Sequence, residues 1–173
     1  SLTAGVDDYA LTAGEQKDGI DRVKDTETVD LDLFLCGKAD ATKAGNALDM
    51  CTDRKDAVAF VSPELSDVVN VANEVTQTSN VKAYFDTLTS TSYGMFDSGY
   101  KYTYDKYNDT YRWVPLNGDM AGPCARTDLV ADAWFSPGGF NRGPGSYAHL
   151  PLTTFRTVLI SFIDSPINIK PCK

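Results

Sequence analysis

The chain has 173 residues, 42% of them hydrophobic and 23% charged, with 24 acids against 16 bases and a formal charge of -8. One domain of this size buries roughly 70% of the surface its unfolded chain exposes, so it needs neither metal nor disulfide to fold. The acid surplus argues against a nucleic-acid partner, since phosphates call for a basic face, and the longest apolar runs are too short to span a bilayer.

Taken in chain order, residues 1–28 are polar and punctuated by Gly5, Gly14 and Gly19, which suggests loop with one short helix. No charged start leads into an apolar core as in a signal peptide, and the chain begins at Ser1 rather than Met, so a fragment or a processed product is expected. Asp30-Leu-Asp-Leu-Phe-Leu-Cys36 ends in a continuous apolar run, the pattern of a strand buried on both faces, closed by Gly37. Asp40 is placed to cap a helix to about Asp53 with Ala44, Ala47, Leu48 and Cys51 on one side. A second buried strand, Ala57–Val61, follows Asp56. Ser62-Pro63 then opens a helix whose first turn carries Glu64 and Asp67, with Val68, Val71 and Val75 at helical spacing. A further helix is predicted over Asn80–Leu88, burying Val81, Tyr84, Phe85 and Leu88. Ser92–Phe96 reads as a third strand.

After Gly99, Tyr100, Tyr102 and Tyr104 alternate with Lys101, Thr103 and Asp105; beyond Lys106-Tyr-Asn-Asp109, Tyr111 and Trp113 flank Arg112. This is a hairpin with one aromatic and one charged face, ended by Pro115. The aromatic face is either core under a helix, the commoner arrangement for tyrosines at period two, or a binding platform. Asn117 or Asp119 caps a helix ending near Ala131, with Pro123 implying a kink or a later start. Trp134–Gly143 reads as loop. Strands alternating with helices give βαβ units. The expected fold is α/β: a layered α/β/α sandwich around a mixed, mostly parallel sheet with an antiparallel hairpin.

Reactive chemistry is sparse. Neither GxGxxG nor GxxxxGK[ST] occurs. The turn at Cys36-Gly37-Lys38 could cradle an anion at a helix start, although a plain turn accounts for it. Asp97, Asp105 and Asp109 could supply paired carboxylates, but nothing in their spacing fixes a separation, and solvated hairpin acids are commoner. Asp105, Asn108 and Asp109 lack the glycine and terminal glutamate of a calcium loop. His149, the single histidine, has no nucleophile elbow to serve. Cys36, Cys51, Cys124 and Cys172 form no CxxC pair, so zinc is not expected and free thiols in a reducing compartment are, although spacing does not forbid disulfides.

Charge is unevenly spread. Residues 1–142 carry a net -10, whereas residues 143–173 carry +2, with Asp164 as their one acid. That tail is rich in proline (Pro144, Pro151, Pro166, Pro171) and holds the apolar, β-prone run Val158-Leu-Ile-Ser-Phe-Ile163. It is either an edge strand with loops or a segment foreign to the rest.

The runs Ser98–Tyr102, Tyr104-Asp-Lys-Tyr-Asn-Asp109 and Tyr111-Arg-Trp-Val-Pro-Leu-Asn-Gly-Asp119 closely resemble the tail sheath protein of contractile-tailed phages of the T-even type. The resemblance continues through Ala121-Gly122, Cys124-Ala-Arg-Thr-Asp128 and Trp134-Phe-Ser-Pro-Gly-Gly-Phe-Asn-Arg-Gly143, and includes Arg54–Pro63 earlier. The positions that carry it are Tyr104, Asp105, Tyr107, Arg112, Trp113, Pro115, Gly118, Gly122, Arg126 and Asp128, then Trp134, Pro137, Gly139, Asn141, Arg142 and Gly143. The resemblance implies a structural, non-enzymatic protein without cofactor, metal or small-molecule substrate. Its partners would be other sheath subunits and the tail tube protein, with no nucleic acid and no membrane. Its place would be the virion tail, assembled in the host cytoplasm. Contraction would drive the tube through the host envelope.

The resemblance also implies a layout: a polar segment 1–29, an inner α/β core domain 30–143 and a divergent tail 144–173. Two departures stand out. Pro123 replaces an apolar helix former, and the match stops at Gly143, where the charge break begins. A frameshifted or replaced C-terminus is expected there, with a divergent sheath carrying a genuine short tail as the alternative. Without the family's outer domains and terminal arms, the chain alone is expected to be a monomer or weak dimer. Arg126 and Asp128 are expected to pair locally rather than between subunits. A small α/β enzyme or nucleotide-binding domain, or a carbohydrate-binding module using the hairpin, are the alternatives on function. The first needs convergent polar groups near Gly37 and Ser62; the second needs Tyr102, Tyr104 and Trp113 exposed in a row.

Overall fold

A computed structural model describes residues 11–131 and Pro137. The expectations placed on Trp134, on Gly139–Gly143, on His149 and Cys172 and on the C-terminal charge break lie outside these residues.

Helix α1 (Ala13–Asp21) opens on a capping box in which Thr12 Oγ1 accepts from the Glu15 amide and the Glu15 carboxylate accepts from the Thr12 amide. Strand β1 (Leu33–Leu35) leads through Gly37, at φ 63°, into α2 (Ala41–Arg54). Asp40 caps α2 by accepting from the Lys43 amide at 2.8 Å, as its position before the apolar stripe predicts. Strand β2 (Val58–Val61), a single turn of helix α3 (Leu65–Val68), helix α4 (Glu74–Asp86) and strand β3 (Gly94–Phe96) follow. Then come the hairpin strands β4 (Tyr100–Asp105) and β5 (Thr110–Pro115) and helix α5 (Asn117–Val130).

The three short strands form a parallel sheet in chain order β1-β2-β3, with Leu33 opposite Val58 and Ala59 opposite Gly94. Alternation along β2 feeds two cores. Ala59 and Val61 join Ala44, Ala47, Leu48 and Cys51 of α2 and Tyr84 of α4 on one face. Phe60 meets Met120 and Ala121 of α5 on the other. These are the layers of an α/β/α sandwich. Antiparallel pairing is present in a separate two-stranded sheet, β4-β5.

Four local readings are corrected. Strand β1 is not buried on both faces: it is an outer strand with Leu35 48% exposed. The valine spacing does not carry one helix from Ser62 through Val75. α3 stops at Val68, Val69 is extended, and Asn70 sits at φ 63°. β-branched valines lose side-chain freedom in a helix and lower its propensity. Helix α4 starts six residues earlier than the apolar pattern predicts, capped by Asn73, whose Oδ1 accepts from the Val75 amide at 2.9 Å. Its first turns are exposed, with Val75 72% accessible, so no apolar stripe marks them. Helix α5 begins at Asn117 and runs through Pro123, so the later start is not seen.

Candidate assembly surface

The hairpin carries most of the described motif positions. Residues directly opposite on antiparallel strands share a face. Tyr100 pairs with Pro115, Tyr102 with Trp113 and Tyr104 with Tyr111, so aromatics gather on one side. Lys101, Thr103, Asp105, Arg112 and Val114 take the other. Tyr100 is the buried root of this ladder, its hydroxyl donating to the Pro63 carbonyl at 2.9 Å. Burial pushes the Tyr100 phenol up to about 12.

Farther out the ladder is open: Tyr102 is 57% exposed, Tyr104 49%, Tyr111 60% and Trp113 44%. This overturns the core assignment, because no helix lies over these rings among the described residues. The rings instead pack against one another. Tyr102 stacks on Tyr111 with centroids 5.2 Å apart and leans on Trp113 at 4.9 Å, and Tyr104 lies 5.1 Å from Tyr111. Tyr104 donates its hydroxyl to Asp109 Oδ1, which raises its pKa.

The hairpin tip is held by Asp105. It accepts from the Tyr107 amide at 3.1 Å, from Asn108 Nδ2 at 2.7 Å and from Arg112 Nε at 3.1 Å. These donors hold its carboxyl below the usual range, Asn108 most. Asp109 takes φ 51° in the turn, and Tyr107 projects at 85% exposure.

At the root, α5 is tied down on both sides. Lys101 Nζ bonds Asp119 at 2.7 Å. Gly118 lies where a Cβ would come within 3.4 Å of Leu35 Cδ2, while one at Gly122 would meet nothing. Arg126 and Asp128 are exposed, and none of the ion pairs among the described residues joins them, so the expected local pair is absent. Pro137 is half-buried.

The candidates for catalysis are scattered. Asp97 is buried at the end of β3, whereas Asp105 and Asp109 sit at the hairpin tip and are bonded to Tyr107, Asn108, Arg112 and Tyr104, so Asp97 is separated from the other two. The start of α2 is occupied by the chain's own Asp40 carboxylate, and Gly37 gives its carbonyl to Asn117 Nδ2 at 2.8 Å. Polar groups do converge beside Ser62, but on each other: Ser62 donates to Asp97 and accepts from the Asn117 amide, and no buried side-chain N or O among the described residues lacks a partner. Among those residues no cluster of three His, Cys, Asp or Glu could hold a metal, and no helix is long and apolar enough to cross a membrane. Cys36 and Cys51 are buried free thiols, pushed by burial to about 12 and about 11. The Ser62–Asp97 contact joins residues 35 positions apart and leaves no local motif. Its only signal is a polar residue directly after each of two apolar strands.

Comparison with known proteins gives a consistent result. The chain is 41% identical over 160 residues to the tail sheath protein of Vibrio phage KVP40, a match covering 81% of the chain and 23% of that protein. It is 36% identical over 163 residues to the tail sheath protein of Enterobacteria phage T4, covering 83% of the chain and 24% of that protein. The tail sheath protein of Salmonella phage ViI is 35% identical over 143 residues, 82% of the chain and 22% of that protein. The chain belongs to the tail sheath family of T-even-type phages. No family model matches it. The chain spans about a quarter of the length of these tail sheath relatives.

Proposed function

We propose that this chain supplies a rigid α/β body of a contractile tail sheath, with a structural rather than a catalytic role. Residues 30–143 would be the core unit facing the tail tube, between a polar segment 1–29 and a tail 144–173. Its partners would be neighbouring sheath subunits and the tube protein. Contraction would re-seat such bodies against one another while each keeps its shape, and a sheet between helix layers suits that demand. The sheath would be assembled in the host cytoplasm and act in the virion. The observation that carries this reading is the 35–41% identity to three tail sheath proteins over four fifths of the chain. Reconstitution tests it. The 173-residue chain is added to purified tail tubes with full-length T4 sheath protein, and assembly is followed by electron microscopy and sedimentation. Incorporation of the chain, or a shortening of the sheath, is expected; unaltered sheath with the chain left in the supernatant overturns the proposal.

The exposed row Tyr102, Tyr104, Tyr111 and Trp113 favours a second reading, a carbohydrate-binding module. Its weakness is geometric. A saccharide stacks on ring faces, and Tyr102 spends its faces on Tyr111 and Trp113. NMR titration of the hairpin with host-envelope oligosaccharides decides it: shifts confined to these rings support the module, and unchanged spectra remove it.

A further inference from the structure

Asp97 follows β3, is 3% exposed, and has no cation bonded to it among the described residues. Its Oδ2 accepts from Ser62 Oγ at 2.6 Å, and its Oδ1 accepts from the Gly99 amide at 3.1 Å. Ser62, directly after β2, in turn accepts from the Asn117 amide at 3.2 Å. Asn117, the first residue of α5, donates through Nδ2 to the Gly37 carbonyl that follows β1. One chain of bonds, buried except where it reaches Gly37, thus joins the ends of all three parallel strands to the turn that starts the hairpin and to the first residue of α5. A carboxylate without a countercharge is a costly centre for such a network, and a neutral carboxyl is not.

We propose that Asp97 is a proton-operated latch: by exchanging one proton with solvent, its carboxyl sets how firmly the hairpin and α5 are fastened to the ends of the parallel strands. The groups facing it from the packed elements include one charge of its own sign, one cation bound to that charge, and neutral donors. From α5 comes Asp119, whose like charge opposes ionisation, although Lys101 of β4 binds that same carboxylate. From β4 comes Tyr100, a neutral phenol which Asp97 itself, with Glu64 and Asp67 near α3, helps keep protonated. From β2 comes the uncharged Ser62, and from β1 only a carbonyl reached through Asn117. Burial lifts the Asp97 carboxyl to about 7, more than the Ser62 and Gly99 bonds lower it. A carboxyl raised in the fold stabilises fully below its unfolded value of 3.8, and that contribution is lost as pH rises through about 7. The latch is tight in mild acid and slackens above neutrality.

The test uses the full chain labelled for NMR. The Asp97 carboxyl carbon is titrated, and hydrogen exchange of the Gly99 and Asn117 amides, corrected for intrinsic rate, is followed over the same range. The carboxyl is expected to titrate with a midpoint near 7. Protection of those two amides is expected to drop about tenfold across that midpoint, with the Ala44 amide of α2 as the unaffected reference. Asp97→Asn should hold the protection flat. A carboxyl that titrates below about pH 5, or amide protection that ignores its midpoint, overturns the latch. If Asp97→Asn does not fold, the two titrations of the unaltered chain still decide.

Discussion

Arg54 illustrates how one side chain organises a loop. Its guanidinium is fully buried, grips Asp56 with two bonds of 2.9 Å, and donates to the carbonyls of Val23, Asp25 and Val29. The segment after α1 is thereby stapled to the end of α2. Arg54→Met would keep the stem but orphan these carbonyls, and we expect a loss of about 2–4 kcal/mol in urea unfolding. Arg54→Lys should recover less than half, because an ammonium cannot serve both the carboxylate and the carbonyls. Gly94 makes a steric demand instead. A Cβ there would stand 2.5 Å from Leu48 Cδ2, and Leu48 is 1% exposed. Gly94→Ala should cost about 1–3 kcal/mol by overpacking. Leu48→Ala alone should cost about 2–5 kcal/mol, and the double variant less than the sum, a coupling readable in a denaturation cycle.

At the scale of elements, the hairpin is the informative part. An isolated two-stranded hairpin is marginal in water. This one is held by its aromatic ladder, by the Asp105–Arg112 pair and by a buried root at Tyr100. Tyr102→Ser removes two ring contacts from an open face, so we expect a cost of only about 1 kcal/mol in urea unfolding, well below that of Leu48→Ala. The same variant should impair sheath incorporation in reconstitution, since an aromatic patch left open in a segment is apt to be covered in the whole. The sequence pattern made the hairpin's two faces legible, because period-two alternation sorts tyrosines to one side and charges to the other. It could not tell which neighbour lies on the aromatic face, because packing partners far along the chain leave no mark in local spacing. Helix α4 was misplaced for a related reason: an exposed first turn carries no stripe, and Asn73 with Glu74 was its only signal.

At the scale of the molecule, the layered arrangement was readable from apolar runs and caps, because short buried strands and Asp40-type helix starts are local events. The Ser62–Asp97–Asn117 network was not, since it joins residues 35 and 55 positions apart. The described body closes both sheet faces on its own helices. We therefore expect the chain to run as a monomer or weak dimer in light scattering at micromolar concentration; a ring or tube would contradict this. Its surplus of acid should make contacts with basic partners weaken as salt is raised.

The strand order β1-β2-β3 repeats the order of synthesis. Each new strand needs only the one made just before it, so the sheet and the core beneath α2 can close vectorially as the chain leaves the ribosome. Phe60 then waits on the far side until Met120 emerges, some sixty residues later. During that interval Phe60, Leu33 and Val58 would lie uncovered on that side of the nascent sheet, and a translation pause in this stretch would lengthen the exposure.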